Sequence, residues 1–182
     1  MRILRLPFAL KIESLNTLRA MVKYSGRLRN GMQKCWVREM KIIKYEEKYR
    51  DDMIFMILQA KDALGRVPGL NNDLLDVKEN YLDKGDMFWI AIDDNDRVIG
   101  SVGYSSIDDT DEVWLHRLFV KSTMKRQGIG SALLEIAEQY IKEQGKKMIR
   151  VHLGGEEWFE SRAFYPKHGY VEYDERYMKK EL

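Results

Sequence analysis

The sequence VWLHRLFVKSTMKRQGIGS, residues 113–131, decides the fold of this chain. Its first eight residues are mostly apolar and predict a β-strand, and a pattern typical of an amphipathic helix extends from residue 128 to residue 144. Gly128 and Gly130 stand at the turn between the two. Glycines let a backbone approach a ligand closely, and the unpaired N–H groups of a helix N-terminus attract anions. The stretch therefore predicts a phosphate-binding turn.

The composition is that of an ordinary globular protein. The chain has 182 residues, of which 45% are hydrophobic and 33% are charged, as expected for one domain with a core. It has no apolar run of about 18 residues, and its N-terminus lacks the pattern of a secretory signal. Cys35 is the only cysteine, which excludes an internal disulfide and suits a reducing compartment. We therefore expect a cytoplasmic protein without a membrane span.

Basic residues are concentrated at the start of the chain. Residues 1–39 hold nine lysines and arginines against two acidic residues, a net charge of +7, whereas the remainder carries −5. Such a change of composition indicates a boundary near Met40. We expect a folded domain over residues 40–182. The basic extension over residues 1–39 is then an upstream addition outside the native domain, an amphipathic surface-binding helix or a transit peptide.

Periodic patterns predict the other elements. The patterns before the central stretch predict a strand at 41–45, helices over 46–64 and 70–82, and a hairpin of strands 87–92 and 98–104. Those after it predict a strand at 148–153, a short helix at 157–167 and extended segments over 170–179. The strand, helix and strand within 113–153 predict a parallel crossover, and such sheets bind ligands at the carboxyl ends of their strands. The dinucleotide fingerprint fails because Leu133 replaces its third glycine, and no Gly-Lys-Ser or Gly-Lys-Thr tripeptide occurs.

Two separated motifs carry a more specific signal. The sequence KRQGIG occupies residues 125–130, and AFYPKHGY occupies residues 163–170, after the next strand. In this order they resemble the signature of the GNAT superfamily of N-acetyltransferases. The resemblance implies an α/β fold with a mixed, mostly antiparallel sheet flanked by helices. Its central parallel strand pair would be splayed to hold acyl-CoA.

The resemblance also implies an acyltransferase. It would move an acetyl group from acetyl-CoA, the acetyl-donor substrate, to a primary amine of a small molecule or peptide by direct attack. The donor would lie between the strand that ends at Val120 and the one that ends at Leu153. Backbone N–H groups there would stabilise the negative charge that develops on the thioester carbonyl oxygen. The expected donor-binding residues are Leu118, Phe119, Val120, Lys125, Arg126, Gln127, Gly128, Ile129, Gly130 and Ser131.

Tyr165 and His116 are the expected catalytic residues. Tyr165 matches the family's tyrosine that protonates the departing CoA thiolate, and a phenol of pKa about 10 can do so at a cost of about 2 kcal/mol. His116 is the candidate base for the amine, and strand alternation would place it on one face with Trp114 and Leu118. Glu112 and ordered water are the alternatives.

Two positions depart from the family pattern. Lys125 stands where the family usually has Arg or Gln, so its turn would depend mainly on backbone amides. Trp158 stands where many members carry an asparagine beside the cofactor. The Trp158 departure leaves open a non-catalytic, acyl-CoA-binding regulatory module, although the intact Tyr165 argues against it. No metal is expected, because His152 and His168 do not have metal-ligand spacing with His116.

The acceptor is not identified by the sequence. Residues 64–86 are the expected acceptor-side wall, because glycines and a proline shape a loop there. The acidic runs 93–96 and 108–112 would favour a cationic acceptor if they lined the site. The basic extension has few aromatic residues, so nucleic-acid binding is not expected. The oligomeric state stays open, with a homodimer among the alternatives.

Overall fold

The computed structural model describes residues 10–14, 17–27, 33–155 and 159–182, with side chains from Met40 onward. The described strands are β1 (Leu10–Ser14), β2 (Thr17–Arg27), β3 (Gln33–Lys44), β4 (Met87–Ile92), β5 (Val98–Ser106), β6 (Glu112–Val120), β7 (Met148–His152), β8 (Val171–Asp174) and β9 (Tyr177–Glu181). The α-helices are α1 (Arg50–Asp62), α2 (Val77–Asn80), α3 (Ile129–Glu143) and α4 (Phe159–Phe164).

The described strands form one sheet. Its nine strands follow the order β1-β2-β3-β4-β5-β6-β7-β9-β8. Neighbouring strands are antiparallel except β6 and β7, which are parallel. The helix α3 joins this pair, because parallel neighbours need a crossover connection. The predicted α/β fold class, a mostly antiparallel sheet with a parallel pair and flanking helices, is confirmed.

Helices cover the two faces of the sheet around separate apolar clusters. On one face, Met53 and Ile57 of α1 share a cluster with Phe88 of β4. On the other, Leu133 of α3 shares a cluster with Leu115 of β6. All five side chains are at most 5% exposed. Burial on both faces therefore fixes which side of β6 each residue occupies.

The predicted hairpin, the central strand and the helix after it are confirmed to within two residues. The predicted helix over 70–82 is wrong, because only Val77–Asn80 is α-helical and short turns flank it. Asp76 caps that helix, since its carboxylate accepts a hydrogen bond from a backbone N–H of the first turn. Leu70 and Leu75 are 47% and 49% exposed. The apolar residues of this segment therefore do not form one buried stripe.

The strand β3 runs through the predicted boundary near Met40. It pairs with β2 from Gln33 to Ile43, whereas its pairs with β4 begin only at Lys41. The division into a basic extension and a domain stays a prediction. Residues 1–9 and Trp158 lie outside the described residues.

Candidate active site

The parallel strands β6 and β7 separate toward their carboxyl ends. The last pair of their ladder joins Leu115 to Val151. Beyond it, β6 continues to Val120 along β5, whereas β7 ends at His152. An opening between the two strands follows, at the position that the sequence predicted.

A β-bulge lies on β6 at this opening. His116 is opposite Gly103 of β5 and Phe119 is opposite Ser101, so β6 has one residue more than its partner between these pairs. The extra residue is accommodated by Arg117, which has a φ of +55°. Non-glycine residues rarely adopt this backbone conformation. Contacts with neighbouring groups must therefore stabilise the backbone of Arg117 in this conformation.

The bulge changes which face each side chain occupies. Leu118 and Val120 pack against the α3 cluster, whereas His116 lies beside Tyr81 of the α1 cluster, with ring centroids 6.3 Å apart. The expectation that His116 shares a face with Leu118 is therefore wrong. Its cause is the additional residue at Arg117, which interrupts the strict alternation of a strand.

An ion pair holds the bulge to the expected acceptor-side wall. Arg117 donates to Asp73 through Nε to Oδ2 at 2.9 Å and through Nη2 to Oδ1 at 2.6 Å. The hydroxyl of Tyr81 also donates to Asp73, and Ser101 Oγ donates to the Arg117 carbonyl oxygen at 2.8 Å. Burial alone would raise the pKa of the Asp73 carboxyl, but the hydrogen bonds from Arg117 and Tyr81 outweigh it and hold the pKa below its usual value.

His116 lies largely buried at the start of the opening. Its Nε2 is 2.8 Å from Ser105 Oγ. Burial, together with the nearby positive charge of Arg117, lowers the pKa of His116 to about 4. The Asp73 and Asp86 carboxylates oppose this shift but do not cancel it. His116 is therefore a neutral, weakly basic imidazole at neutral pH.

Glu112 begins β6, at the end opposite to the opening. Its carboxylate accepts a hydrogen bond from Arg150 Nε. This hydrogen bond lowers the pKa of Glu112. Glu112, the alternative base, is thus already paired with Arg150. It also lies three residues before Leu115, where the opening begins.

The turn before α3 has the backbone expected of an anion site. Arg126 and Gly128 both have positive φ, +62° and +87°. Gly128 is the N-cap of α3, without a side-chain cap among the described residues and without an acidic residue in the first turn. The first N–H groups of the helix therefore lack a side-chain acceptor. The buried Gln127 Oε1 also has no hydrogen-bond partner among the described residues.

The side chains of this turn differ in their surroundings. Lys125 Nζ donates to Glu160 of α4 at 2.6 Å, so its charge is already opposed. Arg126 is exposed, and no ion pair involving it is found within residues 40–155 and 159–182. Ser131 Oγ is 3.2 Å from His168 Nε2, and Ile129 is 1% exposed. Backbone N–H groups and the Arg126 charge are thus the groups left to meet a phosphate.

Tyr165 follows α4 and is 8% exposed. Burial raises the pKa of its hydroxyl above the usual value of about 10. The neighbouring Phe164 connects it to the turn, because a methyl group added to Gly130 would lie 3.6 Å from the Phe164 ring and 3.5 Å from Val120. The end of β6, the turn and α4 therefore converge at one place.

Sequence reasoning missed Arg117, Asp73 and Ser105. The sequence does contain a signal for Arg117. The adjacent polar residues His116 and Arg117 interrupt an otherwise apolar strand, and in a strand one of two adjacent side chains must face away from the α3 cluster. No local pattern indicates Asp73, which reaches the bulge only through the tertiary fold.

Comparison with known proteins identifies this arrangement. The sequence profile of the Acetyltransferase (GNAT) family matches residues 41–170, well over half of the chain. The chain therefore belongs to this family. The predicted recognition is confirmed, and with it the class, which is that of the acetyltransferases.

Individual relatives agree with this assignment. Human N-acetyltransferase 8 is 33% identical over 90 residues, which cover 47% of this chain and 39% of that protein. The chain thus matches less than half the length of this curated relative. A GNAT acetyltransferase from Staphylococcus aureus Mu50 has a TM-score of 0.70 at 24% identity, with 79% of this chain and 99% of that chain covered. The PaiA N-acetyltransferase of Thermoplasma acidophilum, solved with coenzyme A, has a TM-score of 0.62 at 19% identity and the same coverage.

Within residues 40–155 and 159–182, no three His, Cys, Asp or Glu side chains are grouped to hold a metal ion. The helices of the described part of the chain are all too short or too polar to cross a bilayer.

Proposed function

We propose that this chain transfers an acetyl group from acetyl-CoA to a primary amine of a small molecule or peptide, by direct attack of the amine on the thioester. The observation that carries the proposal is the opening between β6 and β7 after Leu115 and Val151, beside the uncapped N-terminus of α3. An extended thioester needs a slot between strands, and its pyrophosphate needs N–H donors at one end of that slot. Both features occur here together.

The donor would be held mainly by backbone groups. Residues 126–131 would offer N–H donors to the pyrophosphate, and exposed Arg126 would add charge. Leu118, Phe119 and Val120 would bind the pantetheine arm along the edge of β6. Lys125 would contribute less than its charge suggests, because Glu160 already neutralises it.

Acetyl-CoA supplies a thioester carbon that forms the new C–N bond as the C–S bond breaks. The bulge at Arg117 would aim backbone N–H groups of residues 118–120 toward the carbonyl oxygen, on which negative charge develops. Because Asp73 and Ser101 hold Arg117 from both sides, these donors need little reorganisation during the reaction.

Tyr165 would protonate the departing CoA thiolate. Its raised pKa keeps the phenol protonated throughout the neutral range, so the proton is always available. The same shift makes the transfer costlier than the roughly 2 kcal/mol of an unperturbed phenol and thiol. The reaction would still be accelerated, because the Tyr165 hydroxyl would be held beside the leaving thiolate as its proton donor.

His116 would orient the amine and would not act as a strong base. Taking a proton from an ammonium of pKa about 10.4 by a group of pKa about 4 costs about 9 kcal/mol. The amine would therefore enter the site already deprotonated by the bulk solvent, which at pH 7 costs about 5 kcal/mol. The neutral imidazole, beside Ser105, would then accept a hydrogen bond from the free amine.

The release of CoA thiol from acetyl-CoA, measured across a panel of primary amines, tests the proposal. We expect amine-dependent release that falls about a hundredfold or more in kcat in Tyr165→Phe. Tyr170→Phe is the matched control, because Tyr170 is buried in the same cluster with its ring 5.1 Å from that of Tyr165. Tight acetyl-CoA binding without release for any amine would favour a regulatory acyl-CoA-binding module instead.

A further inference from the structure

The face of the sheet that α1 covers at β4 and β5 is accessible to solvent at β6 and β7. On β6 and β7, Val113, Leu115, Ile149 and Val151 face α3 and are at most 5% exposed. The alternate residues Trp114 and Arg150 face the other way and are half-buried, and His152 is exposed. The same strands are therefore covered on one face and open on the other.

Three rings form a continuous floor on this open face. The ring centroids of Trp114 and Tyr177 lie 5.7 Å apart, although β7 runs between their strands. His152 lies 4.9 Å from Tyr177. We call Trp114, His152 and Tyr177 the aromatic floor.

The aromatic floor adjoins the opening between β6 and β7. His152 is the last residue of β7, one position beyond Val151 in the last ladder pair. Trp114 precedes that pair by one position on β6 and lies two residues before His116. A group attached to an amine at the opening would therefore meet the aromatic floor directly.

Two cations and one carboxylate lie around the floor among the described residues. Arg150 pairs with Glu112 and lies over the ring of Tyr173, with its guanidinium carbon 5.1 Å from the centroid. Lys179 Nζ lies 5.8 Å from the same centroid. A polyamine would be repelled by Lys179, and Glu112, the carboxylate described beside Trp114, is already paired with Arg150. An uncharged planar group would instead stack on the rings and leave the ion pair intact.

We propose that the aromatic floor is an acceptor subsite that binds an aromatic group carried by the primary amine. This inference rests on the proposed function and names the substrate class of the same site. The occupant would have its ring on Trp114 and Tyr177, with the amine reaching the opening beside His116.

The test compares kcat/KM for 2-phenylethylamine and for ethylamine at saturating acetyl-CoA, with each rate corrected for the unprotonated fraction of the amine. We expect the aromatic amine to be favoured about tenfold or more, since burial of a ring in an apolar site is worth at least this factor. Trp114→Ala and Tyr177→Ala should each reduce the ratio severalfold, with the KM for acetyl-CoA unchanged. The control Phe55→Ala removes an aromatic side chain that is 53% exposed on α1, and it should keep the ratio.

The outcomes separate the two proposals. Transfer without an aromatic preference, or with a preference that survives both floor variants, would overturn the subsite and leave the acetyltransferase proposal standing. A preference for a polyamine would also overturn it, as would a dimer that Tyr177→Ala dissociates without a change in the ratio. If the intact chain acetylated no amine, the proposed function itself would fail. The melting temperature of each variant shows whether it is folded. A folded Trp114→Ala or a folded Tyr177→Ala alone suffices for the test.

Discussion

Arg117 and Asp73 form a bidentate ion pair between positions 44 residues apart in the sequence, with both side chains about a quarter exposed. The pair joins the bulge of β6 to the turn before α2. It thereby fixes a strained residue, with φ of +55°, at the mouth of the opening between β6 and β7. The expected acceptor-side wall and the backbone that would contact the thioester are thus parts of one connected unit.

Asp73→Ala should destabilise the protein by about 2 kcal/mol, because it leaves a partly buried guanidinium without its carboxylate and releases the bulge. Urea unfolding measures this change. Asp83→Ala is the control, since its ion pair with Lys78 is exposed and its loss should leave the free energy of unfolding nearly unchanged. Equal effects of the two substitutions would contradict the structural role of the Arg117 pair.

Gly128→Ala should weaken acetyl-CoA binding as well as stability. The φ of +87° at Gly128 makes any side chain there cost about 1 to 2 kcal/mol, and the turn would shift away from the pyrophosphate. Gly145→Ala is a matched control at the other end of α3, with φ of +78° and no atom near an added methyl group. We expect similar losses of stability, with a raised Kd for acetyl-CoA, measured by calorimetry, in Gly128→Ala alone.

Arg126→Gln should raise the Kd for acetyl-CoA about three- to tenfold at low salt, and the effect should diminish as salt screens the charge. Lys125→Gln should change the Kd less, because Glu160 already opposes the Lys125 charge at 2.6 Å. Titrations at low and high salt measure both. A larger effect at Lys125 would mean that its pairing with Glu160 is replaced by pairing with the phosphates.

His116 should make the protein less stable as the pH falls. Its folded pKa of about 4 lies below the unfolded value of about 6.5, so between these values the unfolded chain binds the extra proton. Stability is then fully present above about pH 6.5 and is lost toward pH 4, by about 2 kcal/mol at pH 5. Urea unfolding at pH 7 and pH 5 should show a loss that is about 2 kcal/mol smaller in His116→Asn than in the unmodified protein and in His152→Asn. Burial also lowers the pKa of His168, so a remaining loss is expected in all three.

The sequence predicted the parts of the fold that local pattern controls. The hairpin between β4 and β5, the strand β6 and the helix α3 follow from periodicity and turn residues, and two short motifs were enough to predict the family. The prediction of one helix over residues 70–82 was wrong. The leucines of this segment occur at helical spacing, but a helix begins only after the Asp76 cap, and Leu70 and Leu75 are exposed.

The candidate site was predictable only in outline. The turn at Gly128 and a splay between the strands that end near Val120 and Leu153 were expected from the motifs. The bulge at Arg117 was not expected, because Leu118 and Phe119 are both apolar, which hides the change in alternation. Its partner Asp73 is also distant in the sequence. The same bulge reversed the face expected for Leu118 relative to His116.

The central claim is that the acetyl group passes directly to an amine at the opening between β6 and β7. The most direct measurement uses acetyl-CoA with an isotopically labelled acetyl group, incubated with the intact protein with and without a primary amine, and follows the label by mass spectrometry. The account predicts labelled amide only when amine is present, no label on the protein at any time, and strongly reduced product with Tyr165→Phe. Label retained on the protein before amine is added, or no labelled amide from any amine despite acetyl-CoA binding, would contradict it.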